Sequence, residues 1–594
     1  MSNLAITSLA SLRSLLNGAL QSESGTLGPH VLETAKQHSN QLVLALLGLL
    51  TARSIYPILK RSTTFRELDG PKPESVLWGD EALLFRPETS LTTHEELLKT
   101  YGSVCKIKGM FGEDRLWIAD PRAMNDIILK AYDSFHEPEP FLIWMRLATG
   151  NHLLTTHGKS TFYDINTRCN ARFSTQYLPP AICVNTPTFT AIAHQLEDII
   201  ASKAQASYSA SGGMSGVVDI YPWMGNVALE MIGQAGMGYS FGALEGEEHA
   251  YLKASQQLFP SMNALWFVRP FLTTLVNLGS SVFRRAVVDR LPFKRVQDMK
   301  SVADIMDSTA VHIYQKKKAA LASGTLESEI AAGQDIISML LKQNEVVSPE
   351  EQMNEEEIIA HVNALVFAGN DTTSAALAQT FYLLAKHLDV QDRIREEVQE
   401  AHRLYGRDLD YDQLNSLTFL DAVCRESLRL WAPAQMVERI ACVDYNLPLH
   451  YPVKSKDGKT MISNIHVPKG THIYLSLSST NRDKQTWGED ADKFNPYRWL
   501  EPMPSSVSES RIPGVYSNMM TFLGGPRACL GFKFSQLEMK IVLSLLISRF
   551  RFNLGSEDIG WVAGGVVRPH VRGKDGVIDF ARGPTLPMKV TVLE

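Results

Sequence analysis

The segment that most restricts how this 594-residue chain can fold is a ten-residue run near its carboxyl end, Phe522-Leu523-Gly524-Gly525-Pro526-Arg527-Ala528-Cys529-Leu530-Gly531. Its three glycines and one proline predict a tight loop with unusual backbone angles. The apolar-periodic stretch that follows, from Phe532 to Phe550, predicts a helix. Cys529 therefore lies just before a helix amino terminus, where the dipole, the free N–H groups and the nearby Arg527 favour a thiolate.

A thiolate in this position has no second cysteine or histidine beside it in the sequence. It suits a single axial bond to a metal that another group already holds, such as haem iron. The alternative is a small buried cysteine in a loop, which is common in proteins. The pattern F-x-x-G-x-R-x-C-x-G bears on this choice, because the chain matches all five of its fixed positions. The loop resembles the haem-binding loop of the cytochrome P-450 family.

This resemblance implies a cytochrome P-450 fold, mainly α with small β-sheets, and haem b as the cofactor. Cys529 would be the axial ligand of the haem iron, and Phe522 would lie in the loop around it. Arg527 and Arg439 would hold the haem propionates, since a guanidinium fork suits carboxylates. With Gly369, the resemblance thus predicts five cofactor-binding residues.

One family pattern, W-x-x-x-R, is absent from the amino-terminal half. Phe162 and Asn166 stand where the family has its tryptophan and its arginine. Lys159 or Arg168 would then replace that arginine as a propionate contact. The departure concerns the contacts on this side of the cofactor and leaves the predicted fold unchanged.

Residues 354 to about 388 predict one long helix. Asn354 is a good N-cap, and Glu357, three residues later, completes a capping box. At ~1.5 Å per residue such a helix is about 50 Å long, enough to cross a large domain. Gly369, near its middle, costs about 1 kcal/mol relative to alanine, so a packing or functional reason is expected.

Around that glycine the chain reads Ala368-Gly369-Asn370-Asp371-Thr372-Thr373. In one hypothesis the Thr372 hydroxyl bonds to a preceding carbonyl and Asp371 is solvated. In the other, Gly369 lets a flat cofactor and a diatomic ligand approach the backbone, and Asp371 and Thr372 relay protons as catalytic groups. The hexapeptide resembles the family's A-G-x-D-T-T segment, which favours the second hypothesis.

A further motif, E-x-x-R, lies in the sequence between this long helix and the cysteine loop. Glu426 and Arg429 share one face of a helix that ends at Pro433. An exposed pair of this kind is worth only ~0.2–0.5 kcal/mol. The resemblance implies a buried pair, joined by Arg498 from the later segment 494–499. Their role would be structural, fixing the proximal side of the haem.

An apolar run near the amino terminus predicts a single membrane anchor, about residues 42–59. Its 18 residues make about 27 Å of helix, slightly less than a ~30 Å hydrocarbon core. The basic residues that follow place the large body in the cytoplasm, and we expect the endoplasmic reticulum membrane. The alternatives are a buried core helix, a cleaved secretory signal and, for residues 1–22, a mitochondrial presequence.

We therefore expect an anchor and linker in residues 1–65 and one haem-thiolate domain in residues 66–594. The chain has 58 basic and 64 acidic residues, a net charge of −6. This balance argues against a nucleic-acid partner, which needs a basic excess to neutralise phosphates. Six cysteines in so long a chain do not form a disulfide framework, and none are spaced for zinc.

The resemblance implies a monooxygenase that inserts one atom of O₂ into a C–H or C=C bond. The chain has no G-x-G-x-x-G at a strand-to-helix turn, so electrons must come from a separate protein. The resemblance implies that this protein is an NADPH-dependent diflavin reductase. Lys533 and Lys540 are candidates for its docking face, with ordinary solvated lysines as the alternative. Two other functions stay open, a reductase-independent haem-thiolate isomerase or dehydratase and a non-catalytic haem-binding sensor. The intact Asp371-Thr372 pair argues against both.

The substrate is expected to be small and apolar. Regions of about 130–160 and 220–290 would line its pocket, and Trp266, Phe267 and Phe271 are candidate wall residues, although core packing explains them equally well. The chain resembles fungal members of the family. Such members oxidise secondary metabolites such as terpenoids, or aromatic xenobiotics, which is an analogy and not an argument from the site.

Overall fold

The computed structural model describes most of the chain from residue 65 onward, in the ranges 65–75, 78–156, 185–211, 216–246, 249–328 and 330–593. The predicted anchor at about 42–59 lies outside these ranges, and so do Lys159, Phe162, Asn166 and Arg168. Within the ranges described, no helix combines the length and the apolarity that crossing a bilayer requires.

Helices make up most of the described chain. Their bounds are α1 (Glu81–Phe85), α2 (Ser90–Tyr101), α3 (Pro121–Asn125), α4 (Glu139–Thr149), α5 (Thr186–Ser211), α6 (Tyr221–Met231), α7 (Ala250–Ala264), α8 (Leu272–Leu275), α9 (Ser281–Arg290), α10 (Lys294–Ala322), α11 (Ile336–Val346), α12 (Glu355–Lys386), α13 (Leu388–Tyr405), α14 (Tyr411–Ser416), α15 (Thr418–Leu430), α16 (Leu477–Arg482), α17 (Lys484–Trp487), α18 (Ser505–Ser510) and α19 (Phe532–Arg549). Short 3₁₀ and π segments extend several of them.

Helix α12 is the long helix that the sequence predicts, and it ends two residues earlier than expected. Its capping box is confirmed: the Glu357 N–H donates to Asn354 Oδ1 at 2.9 Å, and the Asn354 N–H donates to Glu357 Oε2 at 3.0 Å. Buried side chains occupy most of its circumference, which is typical of a helix that runs through the centre of a domain. Helices α6 and α10 pack against it.

The strands form small sheets around this helical body. Their bounds are β1 (Val104–Lys108), β2 (Asp114–Ile118), β3 (Phe135–His136), β4 (Gly216–Asp219), β5 (Met436–Ala441), β6 (Tyr445–Lys454), β7 (Met461–Val467), β8 (His472–Ser476), β9 (Phe550–Leu554), β10 (Ile559–Ala563), β11 (Val567–Val571) and β12 (Pro587–Val592). The predicted architecture, mainly α with small β-sheets, is confirmed.

Two of the sheets and the cysteine loop position the site. The largest sheet has the order β1-β2-β8-β5-β3, with β2 and β8 parallel and its other pairs antiparallel. Strand β5 of this sheet carries Arg439. The two-stranded sheet β10-β11 contacts α12 through β11. The cysteine loop leads into α19, which also packs on α12, so α12 borders both the β10-β11 sheet and the helix that follows the loop.

Candidate active site

The cysteine loop is held in shape by its own backbone and by glycines that no larger residue can replace. The Cys529 N–H donates to the Phe522 carbonyl at 2.9 Å. Gly525 has φ +63°, in the left-handed region that favours glycine. A side chain on Gly524 would place its Cβ 1.5 Å from the Pro513 carbonyl oxygen. The loop therefore delivers Cys529 to the start of α19 in one defined geometry.

Cys529 is a free thiol with accessible surface. Protein nevertheless surrounds the sulfur closely, and this desolvation raises the pKa of the Cys529 thiol, while a hydrogen bond with the Gly531 backbone opposes the shift. The expectation that the helix terminus and Arg527 favour a thiolate stays a prediction for the haem-bound protein. A bound metal cation supplies the positive charge that stabilises a thiolate in such surroundings.

Asp371 and Thr372 are neighbours on α12, and both line the same cavity. The Thr372 hydroxyl donates to the Ala368 carbonyl at 2.7 Å, as the back-bonding hypothesis predicts. The other half of that hypothesis is wrong, because Asp371 is not solvated. It is 1% exposed, and its Oδ2 lies 2.6 Å from Nη2 of Arg568. The acid is therefore a member of a buried ion pair.

Arg568 is a candidate functional residue that the sequence analysis missed. It lies on β11, 197 residues after Asp371 in the chain, and it also donates to the Gln256 carbonyl at 2.6 Å. Arg568 reaches Asp371 because the β10-β11 sheet packs against α12, and no local motif encodes that packing. The available signal was an arginine directly after two valines in a short strand, where an unpaired buried charge would be costly.

Gly369 has a packing reason in this fold. A Cβ at this position would approach the Ile232 side chain to 2.9 Å, closer than real Cβ contacts. Ile232 opens the π-helical segment that continues α6, so the glycine lets α12 and that segment come together. The approach of a flat cofactor to the Gly369 backbone stays a prediction.

The two arginines that the resemblance assigns to the haem propionates lie close together at the cavity wall. Arg439 Nη2 is 3.4 Å from Glu137 Oε1, and Arg527 Nη2 is 3.5 Å from Glu137 Oε2. Arg527 also donates to the carbonyls of Leu153 and Thr156, at 2.9 and 2.7 Å. Two guanidinium groups that converge on carboxylate oxygens provide the chemistry that haem carboxylates need.

A buried ionic network joins Glu426, Arg429 and Arg498. Arg429 donates to both Glu426 oxygens, from Nε at 2.9 Å and from Nη2 at 2.8 Å, and Arg498 Nε donates to Glu426 Oε1 at 3.1 Å. The Asn495 N–H and the Trp499 indole N–H complete the set of donors, each at 3.0 Å. Glu426 and Arg429 are both 0% exposed. Such complete pairing is what buried charges require.

A cavity of about 360 Å³ lies among α12, the cysteine loop and β5. Trp266 lines it, as predicted, whereas Phe267 and Phe271 are 41% and 45% exposed and do not belong to its wall. The predicted regions contribute mainly apolar residues, Phe141, Trp144, Met145, Phe259, Met262 and Trp266. Elements outside those regions add Leu84, Phe85, Phe367, Val437 and Val566. An apolar wall with a few polar groups is typical of a small-molecule site.

For one of the two lysines predicted to dock the reductase, the prediction is wrong, because its side chain is buried. Lys540 is 2% exposed, with its Nζ 2.8 Å from Asp421 Oδ1 and 2.9 Å from Asn415 Oδ1. It is buried because α19 packs against α14 and α15 at this point. Lys533 is partly exposed, so it remains the candidate.

Fold and site together define a class. A mainly helical body places an accessible cysteine, two converging arginines and an apolar cavity around one long helix that carries an acid and an alcohol. These residues fit an iron porphyrin, because one sulfur can bond the iron while guanidinium groups hold the carboxylates. The class is that of haem-thiolate proteins.

Known proteins provide an independent comparison. The sequence profile described as Cytochrome P450 matches residues 71–561. Cytochrome P450 monooxygenase 91 of Postia placenta is 38% identical over 527 residues, covering 88% of this chain and 93% of the relative. Ganoderic acid synthetase of Ganoderma lucidum is 37% identical over 482 residues, covering 79% and 85%. The chain belongs to the cytochrome P450 family. It is accordingly a monooxygenase, and its cofactor is haem with a cysteine thiolate as the proximal ligand.

Proposed function

We propose that this enzyme oxidises a small apolar secondary metabolite, such as a terpenoid, or an aromatic xenobiotic. Electrons come from NADPH through a separate diflavin reductase. The reaction RH + O₂ + NADPH + H⁺ → ROH + NADP⁺ + H₂O balances atoms and electrons. The observation that carries the proposal is the cavity, whose apolar wall meets Asp371 and Thr372 on one side and Arg439 and Arg527 on another. A relative that is named for the synthesis of ganoderic acid supports a metabolite as substrate.

We assign each residue a role from its contacts. Cys529 ligates the iron of haem b, which when bound supplies the activation of O₂. Arg439 and Arg527 hold the haem carboxylates. These carboxylates either replace Glu137 as the partner of the two arginines or share them with it. Phe522 begins the cysteine loop, and its ring lies 6.2 Å from that of Phe532. The network of Glu426, Arg429 and Arg498 is structural.

The experiment that tests the function combines purified full-length protein, a diflavin reductase, NADPH and a panel of terpenoid and aromatic compounds. A substrate should displace water from the site and shift the haem spectrum from low to high spin. It should then yield a product one oxygen atom heavier, in amounts that depend on NADPH. Conversion that proceeds without NADPH would contradict the proposal, and so would a panel that gives spin shifts but no oxygenated product.

Proton delivery by Asp371 and Thr372 predicts that Thr372→Ala uncouples the enzyme. The Thr372 hydroxyl donates to the Ala368 carbonyl and can exchange that bond for a substrate-side acceptor. A positioned proton donor contributes about 10²- to 10⁴-fold to its step, so we expect several-fold less product per NADPH while NADPH consumption continues. Thr372→Ser should retain most of the coupling. Full coupling in Thr372→Ala would refute the assignment.

We further propose that the protein is anchored in the endoplasmic reticulum membrane through residues 42–59, with residues 66–594 as one catalytic domain on the cytoplasmic side. An exposed apolar surface supports a membrane contact: Val282 is 78% exposed, Phe283 57% and Phe293 61%. Arginines and a lysine are interleaved with them in the sequence. Apolar groups among basic ones suit an interface with anionic lipid headgroups.

Removal of residues 1–65 should move most of the protein from the membrane pellet to the soluble fraction, because the apolar run is lost. Fractionation followed by immunoblotting measures the shift. In the shortened protein, Val282→Ser combined with Phe283→Ser should lower the remaining binding to anionic liposomes. A shortened protein that stays in the pellet, whether or not the two serines are present, would contradict the anchor.

A further inference from the structure

A second cavity shares no wall residue with the substrate cavity. It has a volume of about 580 Å³, and Tyr221 and Gln256 form part of its wall. Its rim includes Lys203 and Arg582, both exposed, and Val217, which is 55% exposed. The second cavity therefore opens to solvent. None of the roles assigned above uses it.

A single side chain, Arg568, connects the two cavities. Its Nη1 donates to the carbonyl of Gln256, a wall residue of the second cavity, and its Nη2 donates to Oδ2 of Asp371, a wall residue of the substrate cavity, both at 2.6 Å. The Arg568 side chain is 8% exposed and that of Asp371 is 1% exposed. The buried pair of Arg568 and Asp371 thus touches a wall residue of the second cavity and belongs to the wall of the substrate cavity.

Polar atoms without partners mark the same place. Among the described residues, Asp371 Oδ1, Arg568 Nε and the Tyr221 hydroxyl are buried and have no hydrogen-bond partner in the protein. Tyr221 lies close enough to the guanidinium for the two groups to interact electrostatically. Buried polar groups of this kind are usually satisfied by ordered water. The cluster therefore has the composition of a short hydrated path between the cavities.

The charge states suit such a path. Burial raises the pKa of the Tyr221 hydroxyl above its usual value, although Arg568 opposes the shift, so the hydroxyl keeps its proton and can both donate and accept. Burial lowers the pKa of Arg568, but Asp371 and Tyr221 more than offset this and raise it overall. A guanidinium that never loses its proton cannot relay one. Its function here is to orient the carboxylate.

We propose that Arg568 is a positioning residue that holds the Asp371 carboxylate toward the second cavity, and that protons for oxygen insertion enter from this cavity past Tyr221. A proton moves from cavity water through the Tyr221 hydroxyl to Asp371 Oδ1. Rotation of the carboxyl group then passes it to the Thr372 hydroxyl and restores the carboxylate on Arg568. Two such transfers supply the two protons of each turnover. The inference rests on the proposed roles of Asp371 and Thr372.

The test uses full-length, haem-loaded variants with diflavin reductase, NADPH and a substrate identified by its spin shift. It measures product per NADPH and the solvent isotope effect in D₂O. Arg568→Gln should reduce product per NADPH several-fold and enlarge the isotope effect, and Arg568→Lys, which keeps the charge, should recover part of the coupling. The double variant Arg568→Gln with Asp371→Asn should be no worse than Asp371→Asn alone. Arg572→Gln is the matched control, because Arg572 pairs with Asp558 at the exposed end of the same strand and should leave coupling unchanged.

The possible outcomes separate this inference from the proposed function. If Asp371→Asn couples like the parent enzyme, the proton relay itself fails. If Asp371→Asn uncouples but Arg568→Gln does not, only the path through Arg568 fails. The inference is also overturned if the double variant gives less product per NADPH than Asp371→Asn alone. It is likewise overturned if Arg568→Lys couples no better than Arg568→Gln. Where Arg568→Gln yields no haem protein, Tyr221→Phe decides, because it leaves the ion pair intact and should still enlarge the isotope effect. An unchanged isotope effect in that variant overturns the inference.

Discussion

Serine in place of Cys529 should abolish the red-shifted Soret band that the reduced enzyme gives with carbon monoxide, and with it all oxygenated product. A thiolate donates electron density to the iron and favours cleavage of the O–O bond, which a serine hydroxyl does not. The substitution should leave the loop itself intact. Its shape depends on the Cys529 N–H bond to Phe522 and on Gly524 and Gly525, and these remain. Loss of the band and of the product therefore tests whether Cys529 is the iron ligand, and does not reflect a disrupted fold.

Cys442→Ser is the matched control for this experiment. Cys442 is a half-buried free thiol whose Sγ lies 3.7 Å from the Ile440 carbonyl, at the end of β5. Its replacement should leave the carbon monoxide spectrum and the product yield unchanged. Circular dichroism of both variants verifies the helical fold. A Cys529→Ser protein that keeps the red-shifted band, or a Cys442→Ser protein that loses it, would refute Cys529 as the ligand.

Replacement of Arg429 by alanine should have the second largest effect, a large loss of stability and of bound haem. It would leave the Glu426 carboxylate fully buried without its main partner. Removal of one member of a buried ion pair costs about 3–5 kcal/mol, a large part of the ~5–15 kcal/mol that stabilises a typical protein. We therefore expect a lowered melting temperature and little haem-loaded protein.

The same side chain also supports the cysteine loop. Arg429 Nη1 donates to the Asn481 carbonyl at 2.7 Å, and Asn481 Oδ1 accepts from the Met520 N–H at 2.7 Å. The Asn481 amide donates to the hydroxyl of Thr521, the residue before Phe522. The effect of Arg429→Ala should for this reason extend to the haem: the ratio of haem to protein should fall even at temperatures where the helices persist.

A surface pair with identical spacing provides the control. Glu400 and Arg403 also read E-x-x-R, but their side chains are 54% and 68% exposed, and exposed pairs contribute little. Arg403→Ala should leave the melting temperature and haem content nearly unchanged, and Arg429→Lys should fall between the two alanine variants, because an ammonium cannot reproduce the guanidinium contacts. Equal stability of Arg429→Ala and Arg403→Ala would contradict a structural role for the network.

Much of the fold was predictable because its signals are local. Helix α12 follows from a capping box and an apolar stripe within one continuous segment, and it begins where Asn354 and Glu357 place it. The shape of the cysteine loop follows from Gly525, whose backbone angles other residues rarely adopt, and from Gly524, which leaves no room for a side chain. The burial of Lys540 was not predictable in this way, because the packing of α19 on its neighbours decides it.

By itself, then, the amino-acid sequence determined the cysteine loop, the long helix with its acid and alcohol, and the spacing of Glu426 and Arg429, since each depends on residues near one another in the chain. Only the tertiary structure decided that Asp371 is paired with Arg568 rather than solvated. It also decided that Arg439 and Arg527 meet at Glu137. The physical reason is that burial and charge pairing depend on packing between distant segments, which no local pattern encodes.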